Sequence, residues 1–205
     1  MFFRKTCYDT FMELISKSYE NKSMTQKTVR ETEFTDCDFK NCKFSETTFS
    51  LCRFEDARFS GCSFINVKFA HSLMFSSAFE NCALVNFGFS SLCRGYGAAK
   101  LSAPFHKAAG CVFKYVSFVG FDLKKIDFSR SQFIECDFSG CNLKDADFKN
   151  CVFAKSSFSD CDLSNADFEN AAGFDIDAKS CNLKNARFSQ LQAARILLSL
   201  GVKLV

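Results

Sequence analysis

Large apolar residues recur at every fifth position through most of this chain, and polar residues fill the positions around them. The residue two places before each large one is small, and the other three of each five are mostly polar. This period fits neither an amphipathic helix, which repeats every 3.6 residues, nor a flat strand, which repeats every two. It predicts a chain that turns a corner every five residues and winds around an axis. The two clearest blocks are Phe34, Phe39, Phe44, Phe49, Phe54, Phe59, Phe64 and Phe69, then Phe113, Phe118, Leu123, Phe128, Phe133, Phe138, Leu143, Phe148, Phe153, Phe158, Leu163 and Phe168.

A second period of 20 residues lies on top of the first. Leu replaces Phe at Leu123, Leu143, Leu163 and Leu183, and Asp127, Asp147 and Asp167 share this spacing. Four units therefore make one turn, so equivalent residues stack at the inter-strand spacing of ~4.8 Å. The sequence predicts an all-β solenoid with four sides and about seven coils, extending over residues 31–190.

The lattice breaks once, between Phe89 and Phe113. Segment 91–110 contains the only Pro, three Gly, Cys93 and His106, which is the composition of a loop. We expect a projecting loop here, because structureless loops of this length are usually functional or disordered. A tolerated insertion without function is the alternative.

Both ends of the chain predict helices. In residues 1–30, Tyr8, Phe11, Met12, Ile15 and Tyr19 have helical spacing and Thr6 can act as the N-cap, which predicts a short helical lid on the solenoid.

Residues 191–205 predict a second helix and a short tail, with Ser189 as N-cap and Gly201 as the stop. One face of this helix can cap the last coil, and the other remains exposed. We expect that exposed surface to form a two-fold dimer interface; a monomer whose helix lies flat over the end is the alternative. The interface residues would be Ala193, Ile196, Leu197, Leu200, Val202 and Leu204.

Composition narrows the class of protein. No apolar run reaches the ~18 residues needed to cross a membrane, and the first residues lack a secretory signal, so we expect a cytoplasmic protein. Eleven of the 13 Cys occupy the small position of the repeat, which favours core packing over disulfides or metal binding and indicates a reducing compartment.

Charge and the remaining side chains argue against catalysis and nucleic-acid binding. Segments 31–90 and 111–190 carry net charges of −3 and −2, whereas the whole chain is at +3. There is no Arg/Lys stripe for direct nucleic-acid contact. With two His and no zinc-binding spacing, we expect no enzyme, no cofactor and no metal.

The stacked Asp127, Asp147 and Asp167 suggest a binding mechanism. Three carboxylates ~5 Å apart make a negative stripe, and DNA also presents regularly spaced negative charge. These residues could therefore mimic DNA. Alternatively, Asp at this position simply satisfies backbone groups at each corner.

Units such as Ala146-Asp147-Phe148-Lys149-Asn150 resemble the A(D/N)Lxx motif of the pentapeptide-repeat family, whose fold is a right-handed quadrilateral β-helix. The C-terminal stretch, with Gln192-Ala193 and Leu200-Gly201-Val202, resembles the end of Qnr-type quinolone-resistance members. That resemblance implies a C-terminal dimer, a loop projecting from the N-terminal half, and binding to DNA gyrase as a DNA mimic. Carried over to this chain, the partner-binding residues would be Arg94, Tyr96, Lys100, Phe105 and Lys107, together with Asp127, Asp147 and Asp167.

The chain also departs from the Qnr-type pattern. Qnr-type proteins are acidic overall, whereas this chain is at +3, and one loop is predicted rather than two. A general protein-interaction scaffold, such as a bacterial effector or regulatory adaptor without a topoisomerase target, is therefore the alternative function.

Overall fold

A computed structural model describes residues 12–89, 92 and 101–203, with the backbone alone at 101 and 102. The strands are all parallel and wind into a solenoid of about eight turns with four faces. The predicted fold class is confirmed. One more turn forms than was expected, because the first coil begins well before residue 31.

Each of the first coils contributes one short strand to each face. Their bounds are β1 Met12–Ile15, β2 Ser18–Glu20, β3 Ser23–Thr25, β4 Thr28–Arg30, β5 Thr32–Thr35, β6 Asp38–Lys40, β7 Lys43–Ser45, β8 Thr48–Ser50, β9 Arg53–Glu55, β10 Arg58–Ser60, β11 Ser63–Ile65, β12 Lys68–Ala70, β13 Leu73–Phe75, β14 Ser77–Glu80 and β15 Ala83–Val85. Strands on one face pair 20 residues apart, as Phe39 with Phe59 shows. We number the faces first to fourth in the order in which β1 to β4 meet them.

The helix predicted for the N-terminal segment is wrong over residues 12–30, which form β1–β4. Leu14, Tyr19, Met24 and Val29 continue the five-residue lattice and pair with the Phe residues of the next coil. The helical spacing was coincidental, because a lattice of five overlaps an i, i+3, i+4, i+7 pattern at several positions. Thr6, Tyr8 and Phe11 lie outside the described residues.

After the break the strands have two or three residues, apart from β17 with five. They are β16 Leu101–Ser102, β17 Phe105–Ala109, β18 Val112–Lys114, β19 Phe121–Asp122, β20 Gln132–Ile134, β21 Val152–Ala154, β22 Ser157–Phe158 and β23 Asp175–Ile176. Isolated parallel bridges continue the ladders between them. The third face has the longest sheet, with seven strands in the order β3-β7-β11-β15-β18-β20-β21.

The register across the break shows how long the insertion is. Phe79 pairs with Ala108 and Leu84 with Phe113, a separation of 29 residues instead of 20. Nine residues are therefore inserted between Phe89 and Ala108, and His106 is one of them. The loop predicted to run to residue 110 is wrong from 101 onward, since β16 and β17 have rejoined the coil. The five-residue repeat could not be recognised here from the sequence, because the large positions 103 and 108 hold alanine.

The interior consists of stacked Phe and small residues. Rings one turn apart lie nearly parallel, as in Phe113 and Phe133 at 5.1 Å and 3°, an arrangement worth about 0.5–1.5 kcal/mol per pair beyond burial. The 11 described cysteines are free thiols, ten of them buried. Cys62 Sγ donates to the Phe39 carbonyl and also accepts the backbone N–H of Cys42, so these thiols pack as predicted and close local hydrogen bonds.

The corners depend on left-handed backbone. The second residue after each large one has φ between +47° and +61° where it is not glycine. Only glycine adopts this region freely, and Asn and Asp tolerate it better than other residues. This preference explains the many Asn, Asp and Gly at corners, such as Asn150 and Gly140.

The C-terminal helix α1, Gln190–Ser199, forms as predicted. Ser189 is its N-cap within a capping box with Gln192, and Gly201 follows the end with φ +82°. Among the described residues, no helix is both long and apolar enough to cross a bilayer.

Candidate functional site

The residues assigned to a projecting loop do not lie together on a loop in the described part of the chain. Arg94, Tyr96 and Lys100 lie outside the described residues. Phe105 is 1 % exposed and cannot contact a partner, so its assignment to a binding loop is wrong. Its ring packs against those of Phe79, Phe89 and Phe128 at 4.9–6.0 Å.

A bulge in β17 places Phe105 in the core. Ser77 pairs with Phe105 and Ala78 pairs with Lys107, so His106 is the extra residue on that strand. Ala108 is too small to fill the large position of its unit. The Phe105 ring, next to the bulge, fills that space instead. Alanine at the large position and phenylalanine at the small position together form one intact core layer.

Lys107 lies on the second face, not on a loop. Its Nζ is 2.5 Å from Oε1 of Glu80, and its backbone bridges to that of Asp127 in the next turn. The Glu80 carboxylate, with a smaller contribution from Asp127, raises the pKa of Lys107. The lysine is therefore part of the charge pattern of the rod.

Asp127, Asp147 and Asp167 stack as predicted, in a column linked by parallel bridges on the second face. Each carboxylate accepts the backbone N–H two residues ahead, at 2.9 Å for Asp127 and Asp147 and 3.0 Å for Asp167. This contact closes the corner of each unit. The alternative explanation, in which Asp satisfies backbone groups, therefore accounts for these residues without a partner.

The Asp column is also largely charge-compensated. Lys107 and Arg187 occupy the positions before and after the three aspartates, and Arg187 Nη1 lies 2.8 Å from Asp167 Oδ2. Lys149 Nζ lies 3.4 Å from Asp147 and 3.7 Å from Asp167, and the Asp147 charge raises its pKa. Asp147 and Asp167 are therefore ion-paired, whereas Lys107 beside Asp127 pairs with Glu80, so the column is largely compensated and is not an unbroken negative stripe.

A different set of carboxylates lies on the fourth face without ion pairs among the described residues, although the Lys179 charge acts on one of them, Asp177. We call Asp137, Asp160, Asp175 and Asp177 the acidic strip. Asp137, Ser157 and Asp175 stack in successive turns. None of the four aspartates makes an ion pair with any other residue in the described part of the chain.

Neighbouring residues donate hydrogen bonds to two members of the acidic strip, Asp137 and Asp177. Ser139 donates its backbone N–H and its hydroxyl to Asp137, at 2.9 and 2.5 Å. Asp177 accepts the Ser180 hydroxyl at 2.9 Å and the Lys179 backbone N–H at 3.0 Å, and these hydrogen bonds, the Ser180 one most strongly, lower its pKa. Asp160, Asp175 and Asp177 are exposed, so the strip faces solvent.

Sequence reasoning missed the acidic strip because it searched for identical residues at intervals of 20. The acidic strip could have been recognised from the neighbouring fourth-face positions, which hold uncharged residues and therefore no cation to pair with the aspartates. The uncharged residues are Ser117, Val119, Gly120, Ser139, Gly140, Ser157 and Ser159.

The C-terminal end presents the other candidate surface. Gln192 donates through its side chain to the Ala171 carbonyl, and a groove of about 320 Å³ lies between α1 and residues 171–176. Ile196 lines that groove and is half-buried, as is Ala193, so these two residues face toward the last coil or its edge.

The outer surface of α1 is apolar and exposed. Leu197, Leu200 and Val202 are 40 %, 42 % and 43 % exposed, and Leu191 and Leu198 are more exposed still. Of the six residues predicted for the dimer interface, Leu197, Leu200 and Val202 are therefore exposed on this apolar surface. Ala193 and Ile196 are half-buried, and Leu204 lies outside the described residues. No group of three or more potential metal ligands occurs among the described residues.

A parallel four-sided β-solenoid built on a five-residue repeat defines the class of protein. The pentapeptide repeat region profile matches residues 14–92, and the pentapeptide repeats profile of eight copies matches residues 131–170. These matches cover more than half of the chain, which belongs to the pentapeptide-repeat family.

One solved structure agrees with this fold, and a second is more distant. The chain is similar to QnrB1, a plasmid-mediated fluoroquinolone resistance protein, at a TM-score of 0.61 and 18 % identity, over 93 % of this chain and 100 % of that one. HetL, a pentapeptide repeat protein involved in heterocyst differentiation regulation from the cyanobacterium Nostoc sp. strain PCC 7120, aligns at a TM-score of 0.37 and 14 % identity, over 87 % of this chain and 90 % of that one. No curated protein sequence matches the chain.

Proposed function

We propose that this protein is a non-enzymatic cytoplasmic binding protein that docks on DNA gyrase or a related type II topoisomerase and protects it from quinolones or toxins. The acidic strip carries this proposal. It presents negative charge from a rigid scaffold, and the fold similarity to a fluoroquinolone resistance protein supports the choice of target.

The charge density of the acidic strip approaches that of DNA. Four carboxylates occupy three turns, about 14 Å at ~4.8 Å per turn, which is one charge per about 3.6 Å. A single strand of B-DNA carries one charge per about 3.4 Å. A basic surface evolved to hold a DNA strand can therefore accept the fourth face, and the Asp column on the second face contributes little because its charge is largely compensated.

In this proposal the protein acts as a dimer through its C-terminal end. Exposed leucines on α1 have no role in closing the coil, and burying them against a second copy removes that apolar surface from water. Replacing Leu197 and Leu200 with serine should give only the 23.1 kDa monomer in sedimentation at low micromolar concentration. A parent protein that is itself monomeric under these conditions would exclude this dimer.

A supercoiling assay with purified gyrase tests the target. The parent protein should reduce quinolone-stabilised DNA cleavage at micromolar concentration. A variant with Asn at all four strip positions should lose this effect by tenfold or more, because the charge that meets the enzyme is gone.

A matched control separates the acidic strip from total charge. Changing Glu13 and Glu20 to Gln and Asp56 and Asp145 to Asn removes the same four charges from other faces and should leave protection intact. Equal losses in both variants would show that only net charge matters. No effect of the parent protein on supercoiling or cleavage would exclude the topoisomerase target altogether.

One observation favours a second function. The chain is at +3 overall and its Asp column is largely ion-paired, so the acidic strip is a local group of unpaired carboxylates on a chain of net positive charge. A general protein-interaction scaffold, binding a different basic partner through the acidic strip, is consistent with this arrangement. Capture of a protein other than a topoisomerase by the parent, and its loss in the strip variant, would favour this function.

A further inference from the structure

The third face of the rod differs from the others because its centre is apolar. Ile65 and Val152 are 42 % and 51 % exposed, and Tyr115 at the adjoining corner is 49 % exposed. The remaining apolar members of this patch are half-buried or small: Ala83, Val85, Val112, Ile134 and Ala154.

The backbone beneath this patch is continuous. β15 pairs directly with β18, Ala83 with Val112, so the nine-residue insertion does not interrupt the third face. The first-face sheet, by contrast, ends at β13 and resumes with β16 and β19. The third face therefore offers a flat apolar surface over successive turns, which suits sheet-on-sheet packing.

Charges lie near the two ends of the patch and in one corner column. From β7 onward, that column follows each third-face strand and reads Glu46, Asn66, Asn86, Tyr115, Glu135 and Lys155 in successive turns. Within the chain, Gln26 donates to Glu46 at 3.0 Å and Lys155 Nζ lies 3.9 Å from Glu135 Oε1, and both Glu46 and Lys155 stay exposed. Its midpoint lies between Asn86 and Tyr115. Glu46 and Lys155 are therefore equally distant from the midpoint and opposite in charge.

We propose that the third face binds the third face of a second copy of this chain, with the two rods antiparallel. A two-fold axis across the face at the midpoint keeps corner opposite corner and reverses the order of turns. Each Glu46 then meets Lys155 of the other copy, and each Ile65 meets Ile134. Two complementary ion pairs form at the ends of an apolar centre.

Only the antiparallel arrangement brings Glu46 opposite Lys155. With the rods parallel, the two-fold axis runs along them and exchanges the two edges of the face, so each corner column lies opposite the other edge of its partner. Lys114 lies near the middle of the third face, directly after Phe113 in β18. With the rods antiparallel, Lys114 lies opposite Val85, where its aliphatic stem can pack while the ammonium reaches solvent.

The size of the patch indicates weak association. Six turns at ~4.8 Å and four residues at ~3.3 Å give a projected area of about 29 by 13 Å, roughly 380 Å². Stable interfaces bury about 800 Å² per partner, so we expect a dissociation constant in the range of tens to hundreds of micromolar. This contact is separate from the C-terminal one, and the two together would link rods into larger assemblies.

Zero-length cross-linking of Glu46 to Lys155 tests the proposal. The two residues lie five turns apart in one chain, about 24 Å, so a carbodiimide cannot join them within a molecule. We expect a Glu46–Lys155 cross-linked peptide at 200 μM protein, and mixed isotopic labels when labelled and unlabelled chains are combined.

Charge reversal supplies the matched variants. Glu46→Lys and Lys155→Glu each remove a group that the carbodiimide joins, so their self-association is measured by sedimentation, with serine at Leu197 and Leu200 to exclude the C-terminal dimer. Each should weaken self-association about tenfold or more, since an attractive pair becomes repulsive at both ends of the interface. The double variant should restore self-association and yield the reversed cross-link. Thermal melting of all three should match that of the parent, because both positions are on the surface.

Three results would overturn the proposal. They are no Glu46–Lys155 cross-link at 200 μM, self-association that the single reversals leave unchanged, and a double variant that does not recover. Serine at Leu197 and Leu200 should leave this cross-link intact, so failure of the C-terminal dimer and failure of the third-face contact are distinguishable. A third face that associates only with another protein would give the first of these results.

Discussion

Replacing Gly173 with alanine should strongly destabilise the C-terminal end of the rod. Gly173 has φ +77°, and a Cβ built there would lie 2.1 Å from the backbone oxygen of Phe153 and 3.2 Å from its carbonyl carbon. Glycine is required at this position for two reasons, its left-handed backbone and the close approach of the preceding turn.

The expected loss in the free energy of unfolding follows from these two effects. A left-handed L-residue costs about 1–2 kcal/mol. To relieve the contact, the turn must move by about 1 Å, which weakens the hydrogen bond from Phe153 N–H to the Ala172 carbonyl, now 2.8 Å and worth about 1 kcal/mol. With the lost packing of Phe174 included, we expect a loss of about 3 kcal/mol.

Gly120→Ala is the matched control. Gly120 has φ +74° and no atom within 4 Å of a built Cβ, so this variant carries only the backbone term, about 1 kcal/mol after the reduced freedom of the unfolded chain is counted. In urea, with a slope of about 2 kcal/mol/M, the midpoint should fall by about 1.5 M for Gly173→Ala and about 0.5 M for Gly120→Ala.

Hydrogen exchange gives a second measurement, because the end of a solenoid can unfold locally. The amides of Ala172 and Asn182 bond to the Cys151 and Cys161 carbonyls at 2.9 Å and should exchange much faster in Gly173→Ala. Equal losses of stability for the two glycine variants, with unchanged exchange at the C-terminal end, would refute this reasoning.

Two further predictions concern buried and exposed polar groups. Ser131→Ala should cost about 1–3 kcal/mol in urea denaturation, because the Cys111 N–H, now 3.0 Å from the Ser131 hydroxyl, would lose its acceptor; Ser131→Cys should cost less, as thiols fill equivalent positions, and equal costs would contradict the hydrogen-bond explanation. Because its folded-state pKa is lowered, Asp177 contributes stability that is present above the unfolded pKa of about 3.9 and lost as pH falls through the folded value. Carbon-detected NMR titration should show it ionising below the ordinary range in the parent and nearer that range in Ser180→Ala; an unchanged midpoint would exclude Ser180 as the cause.

The repeat could be predicted from sequence because its spacing is local. Large residues every five positions and matching residues every 20 predicted four faces and stacked turns, and the structure has both. Ser189 and Gly201 bounded α1 correctly for the same reason, since capping depends on residues within one turn of the helix. The N-terminal segment failed because a helical and a five-residue pattern share positions in a short stretch.

By itself, the sequence determined the solenoid, its packing residues, the stacking of Asp127, Asp147 and Asp167, and the terminal helix. Only the tertiary structure decided which residues face one another across turns. The nine-residue insertion shifted the register from 20 to 29, which put Phe105 inside and Lys107 beside Glu80. Charge compensation depends on such neighbours in space, so the sequence could place the Asp column but could not show that ion pairs largely compensate it while the described residues give the acidic strip none.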